Sequence, residues 1–136
     1  NSNAKVIYKD TYNLLNNSNR ALVTSGTATL ETAFFNVPQI VCYKTSWLSY
    51  IIAKSLVKIK YISLVNLIMD KEVVKELIQN NLSYSKLTKE LNFLNDTLVL
   101  NKMKDAYQVL ITKCKGENVS KNIAIDMFKT IESFQK

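Results

Sequence analysis

Two short apolar runs with a helix-like segment between them constrain the fold of this chain more than any other feature. The runs are "ALVT" (21–24) and "QIVCY" (39–43), and the apolar residues of 27–36 recur at helical spacing. Parallel strands need a crossover connection, usually a helix, whereas antiparallel strands can be joined by a short turn. The pattern therefore predicts a βαβ unit and an α/β fold with a parallel sheet.

Strand and helix patterns continue on both sides of this unit. A short strand is predicted at 5–8, a strand or extended segment at 61–64, and helices at 10–19 and 46–57. Beyond residue 70 the spacing is helical throughout, and Asp70 is predicted to cap the first of these helices. The predicted helices there are 71–80, 84–94, 98–114 and 119–134. The predicted fold is a Rossmann-like parallel sheet flanked by helices, with a helix-rich C-terminal portion at 84–136.

Composition limits the chemistry that is open to the chain. With 136 residues, 47% of them apolar, a single domain with a real core is expected. The absence of histidine excludes histidine bases, histidine metal ligands and histidine-based triads. Cys42 and Cys114 lack metal-ligand or redox spacing, so a reducing compartment and no metal or cofactor are predicted, with Cys42 as a core thiol. No apolar run reaches the roughly 20 residues of a membrane span.

The end of the first apolar run carries the strongest signal for a ligand. Ligands of parallel α/β sheets bind beyond the carboxyl ends of the strands, and Ser25, Gly26 and Thr27 lie at such an end. A glycine lets a ligand approach the backbone, and the start of the next helix suits a phosphate. Glu31 shares a helix face with Thr27, and its carboxylate can accept hydrogen bonds from two neighbouring hydroxyls, as on a ribose. The alternative is a surface acid that favours the helix dipole.

A second polar cluster follows in "SLVNLIMDKEVVKELIQ" (63–79). Asn66 lies in an apolar run, at a predicted strand end, where its amide can donate to a phosphate or hold a loop. Glu72, Glu76 and Gln79 fall in the helix predicted to follow. Glu72 and Glu76 are four residues apart with lysines close by, and this spacing is typical of the charged, solvent-exposed face of a helix.

These residues resemble a known family. "ALVTSGTATLETAFFNVPQIVCYK", followed by "YIIAKSLVKIKYISLVNLIMDKEVVKELIQ", is similar to the C-terminal half of lipid-A-disaccharide synthase over residues 20 to about 80. The chain departs from the family pattern at Val65, where proline is usual, and at Met69, Asp70 and Lys71, where a small pair and arginine are frequent. Lysine lacks the planar fork with which arginine grips a phosphate.

The resemblance implies an inverting glycosyltransferase with the two-domain GT-B fold. The family joins UDP-2,3-diacylglucosamine to 2,3-diacylglucosamine 1-phosphate in lipid A biosynthesis, and its C-terminal domain holds the UDP. Residues 1–136 would be this UDP-binding domain, a fragment of a two-domain enzyme. The catalytic base is expected in the missing N-terminal domain, so the fragment alone is expected to be inactive. The residues that the resemblance assigns to UDP binding are Ser25, Gly26, Thr27, Glu31, Asn66, Glu72 and Gln79.

Two other functions compete with this one. The first is another UDP-sugar enzyme of the same fold, although a hydrolysing epimerase would be expected to show histidine in its site. The second is a non-catalytic basic module that binds a membrane or a partner.

The charge and one basic segment bear on the partners. The net charge is +7, with lysines spread along the chain, and 46–61 is both amphipathic and basic. Peripheral contact with an anionic membrane is therefore predicted, and the resemblance implies that this is the cytoplasmic side of the bacterial inner membrane. The alternative for 46–61 is a helix packed on the sheet with its lysines extended to solvent. A homodimer is allowed, whereas nucleic acid is not expected, because no strand carries interleaved aromatic and basic residues.

Overall fold

The apolar runs form a parallel sheet, as predicted. A computed structural model describes residues 4–24, 26–45 and 60–115 of the chain. A short 3₁₀ turn, Gln79–Asn81, follows the last strand. The strands and helices are α1 (Thr11–Asn16), β1 (Ala21–Val23), α2 (Thr27–Phe34), β2 (Gln39–Tyr43), α3 (Leu64–Met69), β3 (Lys75–Ile78), α4 (Tyr84–Phe93) and α5 (Thr97–Cys114).

The strand order is β1-β2-β3, and both pairs are parallel. Val23 pairs with Val41, and Val41 pairs with Glu76, so these three residues form one row across the sheet. Paired residues project to the same face of a sheet. Glu76 therefore stands in line with two core valines, an unusual place for an acid. The arrangement confirms the α/β class and a Rossmann-like parallel sheet flanked by helices.

The core lies between the sheet and helices α2, α3 and α5, which contact one another. Its centre consists of fully buried apolar side chains from every layer. They are Ala33, Val41, Val65, Val74, Tyr107 and Leu110. Burying a large aliphatic side chain contributes about 1.5–3 kcal/mol, so this contact surface holds α5 against the sheet.

The predicted helices at 10–19, 27–36, 84–94 and 98–114 are confirmed, with bounds shifted by a few residues. The predicted helices at 46–57 and 119–134 lie outside the described residues. Among the helices of the described ranges, none is both long and apolar enough to cross a membrane.

The prediction of a helix at 71–80 was wrong. Residues Lys75–Ile78 form strand β3, and Asp70 ends α3 in the left-handed conformation, with φ of 48°, instead of starting a helix. The apolar pairs of this segment fit both helical and strand spacing. Hydrogen bonding to β2 decided in favour of the strand.

The strand predicted at 5–8 was also wrong. Of the two alternatives at 61–64, the strand was wrong, whereas the extended backbone of Ser63 fits the other. Residues 61–64 lead into α3, because the Ser63 hydroxyl accepts a hydrogen bond from the Asn66 N–H and so caps that helix. Residues 5–8 have no regular structure, and Val6 and Tyr8 are 69% and 83% exposed. A strand requires a hydrogen-bonded neighbour, and no strand of the described part pairs with this segment.

Candidate functional site

The turn that follows β1 is built around Gly26. Its φ of 111° and ψ of −159° lie in a region that only glycine adopts readily, and it holds the cap position of α2. The Thr29 hydroxyl donates to the Gly26 carbonyl at 2.8 Å, and the Thr29 N–H donates to the same oxygen at 3.2 Å. A side chain at position 26 would meet no atom within 4 Å in the described part of the chain. Glycine is therefore needed for the conformation, and the space before the turn is open.

Thr27 is the first residue of α2 and is exposed. The cap position of α2 belongs to Gly26, which has no side chain to form a capping bond, and Ser25 lies outside the described residues. The first N–H groups of an α-helix have no partner within it and carry a partial positive charge. The start of α2 can therefore receive an anion.

Glu31 lies one turn further along α2 and is half-buried. It lines a cavity of about 310 Å³ together with the four residues that lead into α1, namely Lys9, Asp10, Thr11 and Tyr12. The Tyr12 ring stacks on Phe35 at a centroid distance of 5.4 Å, which ties α1 to the end of α2. The sequence pattern did not indicate residues 9–12 as part of a binding site. The left-handed backbone of Lys9, with φ of 57°, has no marker in the sequence.

The ends of β2 and β3 are joined by the side chain of Gln79. Its amide donates to the Thr45 carbonyl at 3.1 Å and accepts from the Thr45 N–H at 3.1 Å. Gln79 itself has a left-handed backbone, with φ of 51°, directly after β3. The amide thus substitutes for one more residue of strand pairing. Gln79 lies at the carboxyl edge of the sheet, as Gly26 does, but its polar atoms are both engaged with Thr45.

Asn66 lies in α3 and not at a strand end, and it is fully buried. Its amide nitrogen donates to the Val74 carbonyl and to Glu76 Oε1, both at 2.8 Å. Its Oδ1 accepts from the N–H groups of Val73 at 2.7 Å and Val74 at 2.9 Å. An amide has two N–H donors and an oxygen with two lone pairs, so every hydrogen-bonding position of Asn66 is occupied. Asn66 joins α3 to the start of β3.

Glu76 is the other centre of this network, and the sequence prediction placed it on a solvent face. Its Oε1 accepts from the Ser63 N–H at 3.0 Å, the Ser63 hydroxyl at 2.8 Å and Asn66. Its Oε2 accepts from the Ile62 N–H at 2.8 Å. The sequence of 75–78, KELI, has no alternation of polar and apolar residues that would have indicated this orientation, which is set by the pairing of Glu76 with Val41 in the sheet.

Glu72 is separate from the other predicted site residues. It is exposed and pairs with Lys75 at 3.1 Å. It precedes β3, whereas Gln79 follows it, so the two residues lie at opposite ends of that strand. The structure thus brings Gly26, Thr27 and Glu31 together at the start of α2, buries Asn66 in α3 and leaves Glu72 apart. In the described residues no cluster of acids and cysteines is able to hold a metal ion.

A family model described as lipid-A-disaccharide synthetase matches residues 1–128 of the chain. The chain belongs to this family. It is 54% identical over 68 residues to the lipid-A-disaccharide synthase of Psychromonas ingrahamii, which is 50% of this chain and 18% of that protein.

Two other relatives in the lipid-A-disaccharide synthetase family match longer stretches. The lipid-A-disaccharide synthase of a Sulfurihydrogenibium species is 35% identical over 121 residues, 88% of this chain and 31% of its own length. The lipid-A-disaccharide synthase of Rickettsia conorii is 41% identical over 95 residues, 70% of this chain and 20% of its own length. The chain thus spans less than a third of the length of these relatives.

Proposed function

We propose that this chain is the donor-binding part of a lipid-A-disaccharide synthase. In this proposal it holds the UDP of UDP-2,3-diacylglucosamine while the sugar passes to 2,3-diacylglucosamine 1-phosphate. Family membership supports this choice, and the observation that carries it is the arrangement around α2. A glycine-only turn leads from β1 to the start of the helix, and a half-buried acid faces a cavity one turn later.

The diphosphate is proposed to lie over the Gly26 turn. The missing Cβ lets a phosphate reach the backbone, and the N–H groups at the start of α2 donate to its oxygens. The Thr27 hydroxyl, exposed on the first turn, adds a donor from a side chain, and Ser25 is proposed to do the same. Anions at a helix start gain about 0.3–1 kcal/mol from the dipole alone, so the N–H contacts must supply most of the affinity.

The ribose is proposed to bind at Glu31. Its carboxylate accepts from both ribose hydroxyls, and the cavity between Glu31 and residues 9–12 is the space for the nucleoside. Hydrogen bonds to a charged acceptor contribute about 1.5–3 kcal/mol, which is enough to favour a diol over its deoxy analogue. Gln79 is proposed to shape the same edge by holding the end of β2. Asn66 and Glu72 stay predictions as UDP-site residues.

The chemical step is proposed to depend on the rest of the longer enzyme. An inverting transfer needs a base close to the acceptor hydroxyl. The residues around α2 are proposed to bind the donor, with Glu31 assigned to the ribose, so the base is proposed to come from the rest of the enzyme. We therefore propose that 1–136 form one donor-binding domain, with 84–136 as its helical portion, and that this domain alone does not turn over.

An NMR titration of the chain with UDP tests the proposal. Amide shifts are expected at Gly26, Thr27 and Glu31 and along 9–12, and Glu31→Gln should weaken binding by about tenfold. The matched control is Glu90→Gln on α4, which makes the same chemical change and is expected to leave the affinity unaltered. Absence of shifts at millimolar UDP would refute donor binding by this chain. Equal affinities of the Glu31→Gln and Glu90→Gln variants would refute the ribose assignment.

A further inference from the structure

We infer that Glu76 is a positioning residue of the donor site and that Asn66 acts through it instead of touching the donor. This inference rests on the proposed function. It starts from the four donors that converge on one carboxylate: two backbone N–H groups, one hydroxyl and one amide. Hydrogen bonds to a charged group are about twice as strong as neutral ones. This carboxylate therefore ties the start of α3 to β3 through four charge-assisted hydrogen bonds.

The carboxylate acts on the chain just before α3. Backbone N–H groups at a helix start need partners from outside the helix. Ser63 caps the Asn66 N–H, while Glu76 receives the N–H groups of Ile62 and Ser63 in turn. Ser63, Asn66 and Glu76 are thus each hydrogen-bonded to the other two, since Asn66 also binds Glu76 directly at 2.8 Å. Loss of one member leaves the others with unpaired buried groups.

The position of α3 matters for the site because α3 packs against α2. Val65 of α3 and Ala33 of α2 belong to the same buried core, and Thr29, fully buried on α2, holds the Gly26 carbonyl. Packed interiors transmit displacements instead of absorbing them. A shift of α3 therefore reaches the Gly26 turn through one layer of contacts. Glu76, on β3 in the row of Val41, is the group that sets α3 against the sheet.

The fully occupied amide of Asn66 decides between contact and positioning. A bond to a phosphate would require Asn66 to release the Val74 carbonyl or Glu76. Releasing Glu76 would leave its half-buried carboxylate with one donor fewer, and this loss offsets the gain of one phosphate contact. Asn66 therefore contributes to donor binding by holding Glu76 and α3 in place.

The test is a double-mutant cycle on UDP affinity, measured by NMR at a temperature at which each variant is folded. Glu76→Gln places an NH₂ group opposite an N–H donor, and about a tenfold loss of affinity is expected. Asn66→Ala should weaken binding similarly. Because the two residues act as one unit, the double variant should be no weaker than about the poorer single variant. Ser63→Ala, which removes only the hydroxyl, is the milder variant if the others do not fold, with about a threefold loss expected.

The possible results distinguish failure of the donor-binding function from failure of the positioning role of Glu76. A parent chain that binds no UDP refutes the donor-binding function, and this inference with it. A parent chain that binds UDP, with unchanged affinity in folded Glu76→Gln or in Ser63→Ala, refutes the inference alone. Multiplied losses in the double variant show that Asn66 acts independently of Glu76 and also refute it. Glu90→Gln again controls for the change of an acid to an amide, and amide shifts of Gly26 and Thr27 in the unliganded variants report the displacement directly.

Discussion

The substitution Gly26→Ala tests the turn on which the donor site depends. Where alanine can adopt the native φ and ψ, this change stabilises a protein by about 0.4–1 kcal/mol, because alanine has fewer conformations to lose on folding. Gly26, however, has φ of 111° and ψ of −159°, a combination that L-residues with a side chain rarely adopt. The expected effect therefore has the opposite sign.

Its size follows from two facts about the position. Residues forced into glycine-only regions cost about 1–3 kcal/mol, and alanine is also a poorer helix cap than glycine. A Cβ at this place meets nothing within 4 Å in the described part of the structure, so no steric clash adds to the loss. We expect Gly26→Ala to lower the free energy of unfolding by about 1–3 kcal/mol, out of roughly 5–15 kcal/mol for a typical domain.

Urea unfolding of the two chains, with linear extrapolation to water, measures this difference. Ala28→Gly, two residues later in α2, is the reverse change in ordinary helical backbone and should cost about 1 kcal/mol. An increase in stability for Gly26→Ala would refute the assigned conformation of the turn. An unchanged UDP affinity in the folded variant would show that the donor does not depend on this turn.

Three further predictions concern other parts of the chain. Burial raises the pKa of Tyr107 above its ordinary value of 10.0, so the folded state favours the neutral phenol. This contribution to the free energy of unfolding is complete below pH 10 and is lost progressively as the pH rises above it. At pH 11 the parent should have lost about 1.4 kcal/mol more stability than Tyr107→Phe, as measured by unfolding both chains at each pH. An equal loss of stability in the two chains up to pH 11 would contradict the prediction. Gln79→Ala removes both bonds to Thr45 and should cost about 1–2 kcal/mol, with faster hydrogen exchange at the Thr45 amide; unchanged exchange there would rule out the clamp. Lys54→Glu combined with Lys58→Glu should reduce sedimentation with anionic vesicles, since each basic residue contributes about 1 kcal/mol near such a surface; unchanged sedimentation would exclude a role of this segment in peripheral binding.

The part of the site that could be predicted from sequence is the part whose signals are local. The strand at 39–43 is found at its predicted bounds, and α2 starts directly after the glycine that ends the first apolar run. Each of these features depends only on residues that are close together in the sequence. Glu31 could be singled out for the same reason, since its relation to Thr27 depends only on helical spacing. The contribution of residues 9–12 to the cavity beside Glu31 could not be predicted, because it depends on how α1 packs beside α2.

The segment 61–80 was mispredicted because its structure depends on contacts between residues that sequence periodicity does not connect. Asn66 has its partners seven to ten residues further along, at 73–76, in a segment whose apolar pairs fit both a strand and a helix. Helix α3 ends at Asp70 in a left-handed conformation. Glycine usually occupies such a position and indicates the helix end in the sequence, but here the residue is aspartate. The sequence left two alternatives for Asn66, a contact with a phosphate or the holding of a loop. Buried amides are mostly paired, and Asn66 has its partners in Val73 and Val74, just before β3, and in Glu76 within it. Such a residue is better interpreted first as a link between two elements, and its partner, here Glu76, is then the residue to examine for function.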